Sequence, residues 1–181
     1  MRRVDGHVFP QEGITNELLH NITKSFTAGD YKGLYSVEDI PSELAAQNRF
    51  VIIVNLASKR SVNPGHFVVI GARPKKVYYF DSYGIPPLQE DVTSFLDHCK
   101  REIMVCKYQI QPTNSALCPL YAMYIALYLD WYPWEKRMRD LSAAFDTKDL
   151  TYNDKVIGRY VGGLIECIAD RRRRGLGRYK R

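Results

Sequence analysis

The sequence predicts an α+β fold in which a central buried helix packs on a mostly antiparallel sheet. Three stretches carry that expectation. Residues 50–56 (FVIIVNL) form an apolar, β-branched run of strand length with Asn55 as its one polar residue, the pattern of a central strand buried on both faces. Residues 67–71 (FVVIG) and 76–81 (KVYYFD) are two more strand-like runs, and the turn-like Ala72-Arg73-Pro74-Lys75 between them reads as the tip of an antiparallel hairpin. Residues 120–129 (LYAMYIALYL) are too long and too uniformly apolar for an ordinary strand, as expected of a helix covered nearly all round.

The other elements follow in chain order. Residues 1–13 hold glycine, proline and polar groups without a period. Ile14, Leu18, Leu19, Ile22 and Phe26 then recur at helical spacing behind Thr15 as a cap, which predicts a helix over 15–27. Gly29 and Gly33 punctuate a tyrosine-rich loop, and the segment 36–47 admits a short helix after Pro41. Pro86-Pro87 breaks the chain before Leu88, Val92, Phe95, Leu96 and Cys99, which share one helical face. Residues 103–110 (IMVCKYQI) return to strand. Two further helices are expected over 134–145 and 153–168, the second interrupted or kinked at Gly162-Gly163.

A chain of 181 residues with 45% hydrophobic content fills one core. We read one domain over 1–170 and a basic tail over 171–181. That tail (RRRRGLGRYKR) carries seven positive charges and no negative ones, so the formal net charge of +6 belongs to it and the body is near neutral. No apolar run reaches the roughly 18–20 residues of a membrane span, and the first residues lack the apolar core of a signal peptide. The expectation is a soluble, non-secreted monomer with no membrane contact. Cys99, Cys106, Cys118 and Cys167 are expected to stay reduced. No Cys-x-x-Cys pair occurs and His7, His20, His66 and His98 are scattered, so no metal site is expected.

The chemistry-bearing residues converge through the predicted topology. A hairpin turn centred between Arg73 and Pro74 sets His66 opposite Asp81 at the open end, where the carboxylate can accept an imidazole N–H, fix the tautomer and stabilise the imidazolium. Cys118 lies where the polar loop 111–117 (QPTNSAL) meets the buried helix, with Pro119 suited to a first helical turn. The positive end of a helix macrodipole favours a thiolate there. Together these residues would make a Cys-His-Asp nucleophilic triad. Each has a bland alternative: Cys118 as core, His66 beside Gly65 as a turn residue, and Asp81-Ser82-Tyr83-Gly84 as a plain turn.

The same segments resemble the adenovirus protease (adenain) family and, more distantly, the SUMO-specific proteases. The resemblance lies in Ile53-Val54-Asn55, then Gly65-His66, then Phe80-Asp81-Ser82-Tyr83-Gly84, then Gln111-Pro112-Thr113-Asn114-Ser115-Ala116-Leu117-Cys118, and it covers roughly residues 50–130. It implies a papain-like cysteine peptidase fold of the adenain type, with His66, Asp81, Gln111 and Cys118 as catalytic residues. Gln111 and the Cys118 backbone N–H would form the oxyanion hole. Two positions depart from the family. Phe67 stands where it usually has Trp, keeping an aromatic lid without an indole N–H; Pro119 stands where it usually has Gly and cannot donate.

The functional expectation is a viral cysteine endopeptidase that matures capsid or core precursors at glycine-containing sites, located in the virion and the host cell interior (nucleus or viral factory). The alternatives are a deubiquitinase- or SUMO-protease-like enzyme, or a non-enzymatic basic nucleic-acid-binding virion protein. No cofactor is needed for the chemistry, while the resemblance implies activation by DNA or a basic peptide, with Cys99 or Cys106 as a disulfide partner for that peptide. Arg171, Arg172, Arg173, Arg174, Arg178, Lys180 and Arg181 could contact DNA phosphates, act as a nuclear address, or be a solvated terminus.

Overall fold

The computed structural model describes residues 2–4, 7–9, 14–58, 60, 65–131 and 144–174. Its centre is a mixed five-stranded sheet, ordered β3-β4-β5-β6-β7: β3 (Tyr31–Ser36), β4 (Phe50–Asn55), β5 (Phe67–Arg73), β6 (Lys76–Asp81) and β7 (Glu102–Val105). The three inner strands are antiparallel neighbours, as expected. Each edge strand pairs parallel to its neighbour, however, so the sheet is mixed and not mostly antiparallel. A separate two-stranded antiparallel ribbon, β1 (Arg2–Val4) with β2 (His7–Phe9), occupies a stretch whose sequence carries no period.

Alternation along the inner strands sorts side chains between two apolar layers. Val51, Ile53, Phe67, Val69, Tyr78 and Phe80 face one layer, where they meet α1 (Asn16–Phe26), α3 (Cys118–Trp131) and α4 (Leu150–Arg173). Ile52, Val54, Val68, Ile70, Val77 and Tyr79 face the other, built from two short 3-10 turns (Val37–Asp39 and Ser42–Ala46) and α2 (Glu90–His98). The sheet is therefore covered on both faces, which is why 50–56 reads as apolar apart from Asn55.

Helix α3 is the buried helix the sequence calls for. Tyr121, Met123, Ile125, Ala126 and Leu127 are fully buried, and each wholly covered Leu or Ile contributes about 1.5–3 kcal/mol of apolar burial. Its C-terminal end is pinned by polar contacts: Arg73 donates to the Leu129 carbonyl at 3.1 Å and pairs with Asp30 at 2.8 Å, while the buried Asp130 accepts from Tyr31 N at 2.8 Å and from Ala28 N. Helix α1 starts behind the Thr15 cap, whose Oγ1 accepts from Leu18 N at 3.2 Å.

Several expectations need correction. The tyrosine-rich loop is strand β3, an edge strand with a register irregularity between Tyr31 and Gly33. The strand expected over 103–110 stops at Val105; Cys106 N makes a last bond to the Tyr79 carbonyl, and Ile110 and Gln111 turn their N–H groups to the Ser82 carbonyl. Leu88 lies outside α2 and is 77% exposed. Helix α4 is continuous through Gly162-Gly163 and runs to Arg173. The helix expected over 134–145 falls largely outside the described residues, as do residues 175–181 of the tail. Among the described residues no helix is long and apolar enough to cross a membrane.

Candidate active site

The β5–β6 turn is Pro74-Lys75, with Arg73 paired to Lys76, so the register is displaced by two residues from the expected one and Val68, not His66, faces Asp81. His66 still reaches Asp81. It lies two residues before Val68, on the same face and diagonal to the carboxylate, a separation a long side chain bridges. Its Nε2–H donates to Asp81 Oδ2 at 2.9 Å. Asp81 is almost wholly buried, whereas the imidazole retains 23% exposure at the end of the sheet.

Gly65 and Asn55 set the approach of His66. Gly65 has φ +79°, a left-handed conformation, and a Cβ there would collide with the Asn55 side chain and lie 2.6 Å from Ala57 Cβ. Asn55 occupies that space because its Oδ1 accepts from Ala57 N at 2.9 Å, holding the turn that leaves β4. The His66 carbonyl accepts from Leu56 N at 2.8 Å, so the residue is tied to β4 before it enters β5.

Cys118 is the first residue of α3 and is 8% exposed. Its thiol lies close enough to the His66 imidazole to influence that group's pKa. Burial pulls the His66 pKa down, but hydrogen bonds to Asp81 and Cys118 and the negative charge of both outweigh it and raise it from 6.5 to about 9.

Gln111 is fully buried and clamped at both ends of its amide. Its Oε1 accepts from Ser82 Oγ at 2.5 Å and its Nε2 donates to the Ser115 carbonyl at 2.9 Å. Below it, Asn153 of α4 is also fully buried; its Nδ2 donates to the Ile110 carbonyl at 2.8 Å. The loop from Gln111 to Cys118 is therefore shaped by side-chain hydrogen bonds, and Ser115 Oγ adds one by accepting from Leu117 N at 3.2 Å. Pro119 fits the first turn of α3, where a missing N–H leaves no intrahelical bond unmade.

All four expected site residues thus have a defined place: His66 pairs with Asp81 and lies near Cys118, while Gln111 anchors the loop that ends at Cys118. Two supporting residues, Ser82 and Tyr83, carry no role in the sequence reading. Both lie in the Asp81-Ser82-Tyr83-Gly84 segment, and alternation puts no weight on residues just past a strand end. Phe67 does not serve as a lid; it is 3% exposed, in the core layer with α3. The ring against the imidazole is that of Tyr83, stacked at 4.9 Å between centroids and 23° between planes. Cys99 is buried and Cys106 half-buried, and burial raises both thiols above their ordinary range.

No family model and no curated protein matches this chain. Among solved structures it is similar to the ASFV pS273R protease at 13% identity and TM-score 0.48, over 71% of this chain and 59% of that one. Against the selenomethionine form of that protease it spans 43% of the neighbour's length. The central domain of the uncharacterized Lpg1148 protein from Legionella pneumophila matches at 15% identity and TM-score 0.46, over 88% of this chain and 96% of that one. ChlaDub1 from Chlamydia trachomatis matches at 15% identity and TM-score 0.45, over 67% and 60%. Likenesses this distant transfer no mechanism, so the chemistry has to follow from the residues themselves.

Proposed function

We propose that the chain is a cysteine peptidase with Cys118 as nucleophile, His66 as acid and base, and Asp81 orienting the imidazole. The observation that carries this reading is one imidazole shared between a buried carboxylate and a thiol at a helix N-terminus, with its pKa raised to about 9. An imidazolium beside the sulfur stabilises a thiolate, which is the reactive species. The thiolate attacks a peptide carbonyl, and His66 protonates the leaving amine. His66 then takes a proton from the water that opens the thioester, which expels the thiolate and restores the thiolate–imidazolium pair.

Gln111 supplies the oxyanion hole together with the Cys118 backbone N–H. One Nε2–H is spent on Ser115, and the amide has a second to give. The N–H of a residue opening a helix is not used inside it, which leaves the Cys118 amide available for a developing oxyanion.

The resemblance to adenain favours viral precursor proteins as substrates, cleaved at glycine-containing sites during virion maturation, with DNA or a basic peptide as activator. Peptide substrates and SUMO or ubiquitin C-terminal fluorogenic substrates, tested side by side, separate this from the deubiquitinase reading. For the tail, Arg178, Lys180 and Arg181 changed to Gln, with α4 left intact, should weaken a steeply salt-dependent affinity for DNA. Unchanged affinity would exclude a DNA-tethering tail.

The decisive experiment is iodoacetamide labelling of Cys118 from about pH 4 to about pH 9, in the wild type and in His66→Ala, with peptide mapping. Labelling that is fast in mild acid and depends on His66 is the expected result. Slow labelling that rises only with ordinary thiol titration, in both proteins and with DNA present, would overturn the reading.

A further inference from the structure

We infer that Tyr83 is a positioning residue for this site: its ring holds the His66 imidazole in plane, and its hydroxyl ties that imidazole to the loop leading to Cys118. The inference rests on the peptidase reading for its purpose, though not for its geometry. Three contacts of one residue support it. The ring stacks on His66 at 4.9 Å and 23°. The hydroxyl donates to the Ser115 carbonyl at 3.1 Å, the same oxygen that accepts from Gln111 Nε2. The backbone N–H donates to Asp81 Oδ1 at 2.7 Å, occupying the carboxylate oxygen that His66 does not use.

The register explains why Tyr83 is there. Val68 faces Asp81, so extending the antiparallel pairing by two residues brings His66 level with Tyr83 beyond the end of the ladder. Where strand hydrogen bonds stop, ring contact takes over the alignment. Gly84 makes the turn possible: its φ is +71°, and a Cβ there would come within 2.9 Å of the backbone at Tyr108 and Gln109.

A stacked phenol is suited to a charged imidazole. The face of an aromatic ring attracts a cation, and the attraction vanishes when the imidazole loses its proton. Tyr83 therefore favours the imidazolium that Asp81 and Cys118 also favour. Burial, followed by the negative charges of Cys118, Asp81 and Asp154, raises the Tyr83 pKa, so the phenol stays neutral and keeps its proton for Ser115.

The test is an NMR titration of His66 in the full chain, comparing wild type, Tyr83→Phe and Tyr83→Leu, with Cys118 alkylation measured on the same samples. Tyr83→Phe should keep the His66 midpoint and the upfield ring-current shift of its carbon-bound protons, while alkylation slows about threefold. Tyr83→Leu should lose the ring-current shift, lower the midpoint by about one pH unit and slow alkylation about tenfold. Tyr83→Met, also non-aromatic, replaces the leucine variant if that one does not fold. An identical His66 titration in wild type and in the non-aromatic variant overturns the inference. If wild-type Cys118 labels like an ordinary thiol, the peptidase reading fails, and the His66 titration still decides the role of Tyr83.

Discussion

The two halves of the candidate site are held by different forces. His66 and Asp81 sit at the end of an antiparallel ladder whose register runs unbroken from Arg73–Lys76 to Val68–Asp81, with Gly65 locking the entry. Gln111 and Cys118 bracket a loop shaped by Ser82, Tyr83, Ser115 and Asn153 through side-chain hydrogen bonds. Backbone ladders break cooperatively, whereas side-chain bonds can be removed singly at about 0.5–1.5 kcal/mol each. The base half should therefore resist small changes and fail together with local structure. The nucleophile half should lose function by degrees while the fold survives.

Gly65→Ala probes the first half and should have the largest effect. It demands a left-handed alanine and displaces Asn55 or His66, costing about 1–3 kcal/mol of stability and removing the fast labelling of Cys118. Thermal denaturation and alkylation, read together, check it; normal values for both would mean that the entry to β5 is not rigid. Gln111→Ala probes the second half. It should lower kcat by about 10²–10³-fold through loss of an oxyanion donor while the far-UV spectrum stays native. A rise in KM alone, with kcat intact, would remove Gln111 from the oxyanion hole.

A pH series separates the halves without mutation. The folded pKa of His66 lies near 9, above its ordinary 6.5, so the folded state binds the proton more tightly than the unfolded one. The stability this supplies is complete below about pH 6.5 and is lost as the pH rises through about 9. Wild type should thus lose more Tm than His66→Ala over that interval, and parallel losses would contradict the assignment. The rate should fall over the same alkaline range as the general acid is lost. Ser82→Ala should have the smallest effect. It leaves Gln111 Oε1 buried without that donor and should slow turnover about tenfold; kcat for Ser82→Ala alone and in a Gln111→Ala background tests whether the two act as a unit.

Much of this was legible in the sequence, for identifiable reasons. The strands from 50 to 81 and helix α3 are covered on nearly all sides, so their apolar runs say where they lie. The pairing of His66 with Asp81 tolerates the two-residue error in register because a shift of two preserves the face each side chain occupies. Other features were hidden. Strand β3 contains Lys32 and Gly33 and lies at an edge, where one covered neighbour and the anchor at Asp130 outweigh weak propensity. The path of residues 110–111 beyond β7 depends on the Ser82 carbonyl, a tertiary contact with no local signature. Tyr83 was missed because its role depends on where the ladder stops, which only the true register reveals.

The parts of the site also differ in when they can form. His66 and Asp81 are 15 residues apart and joined by a hairpin, a short-range closure reached early by a folding chain. Cys118 comes later in the sequence and acquires its helix end only when α3 docks on the sheet. On a ribosome, the base would therefore be in place before the nucleophile had emerged. A nascent or partly folded copy would carry an ordinary thiol, and attack on neighbouring polypeptides would have to wait for the completed core.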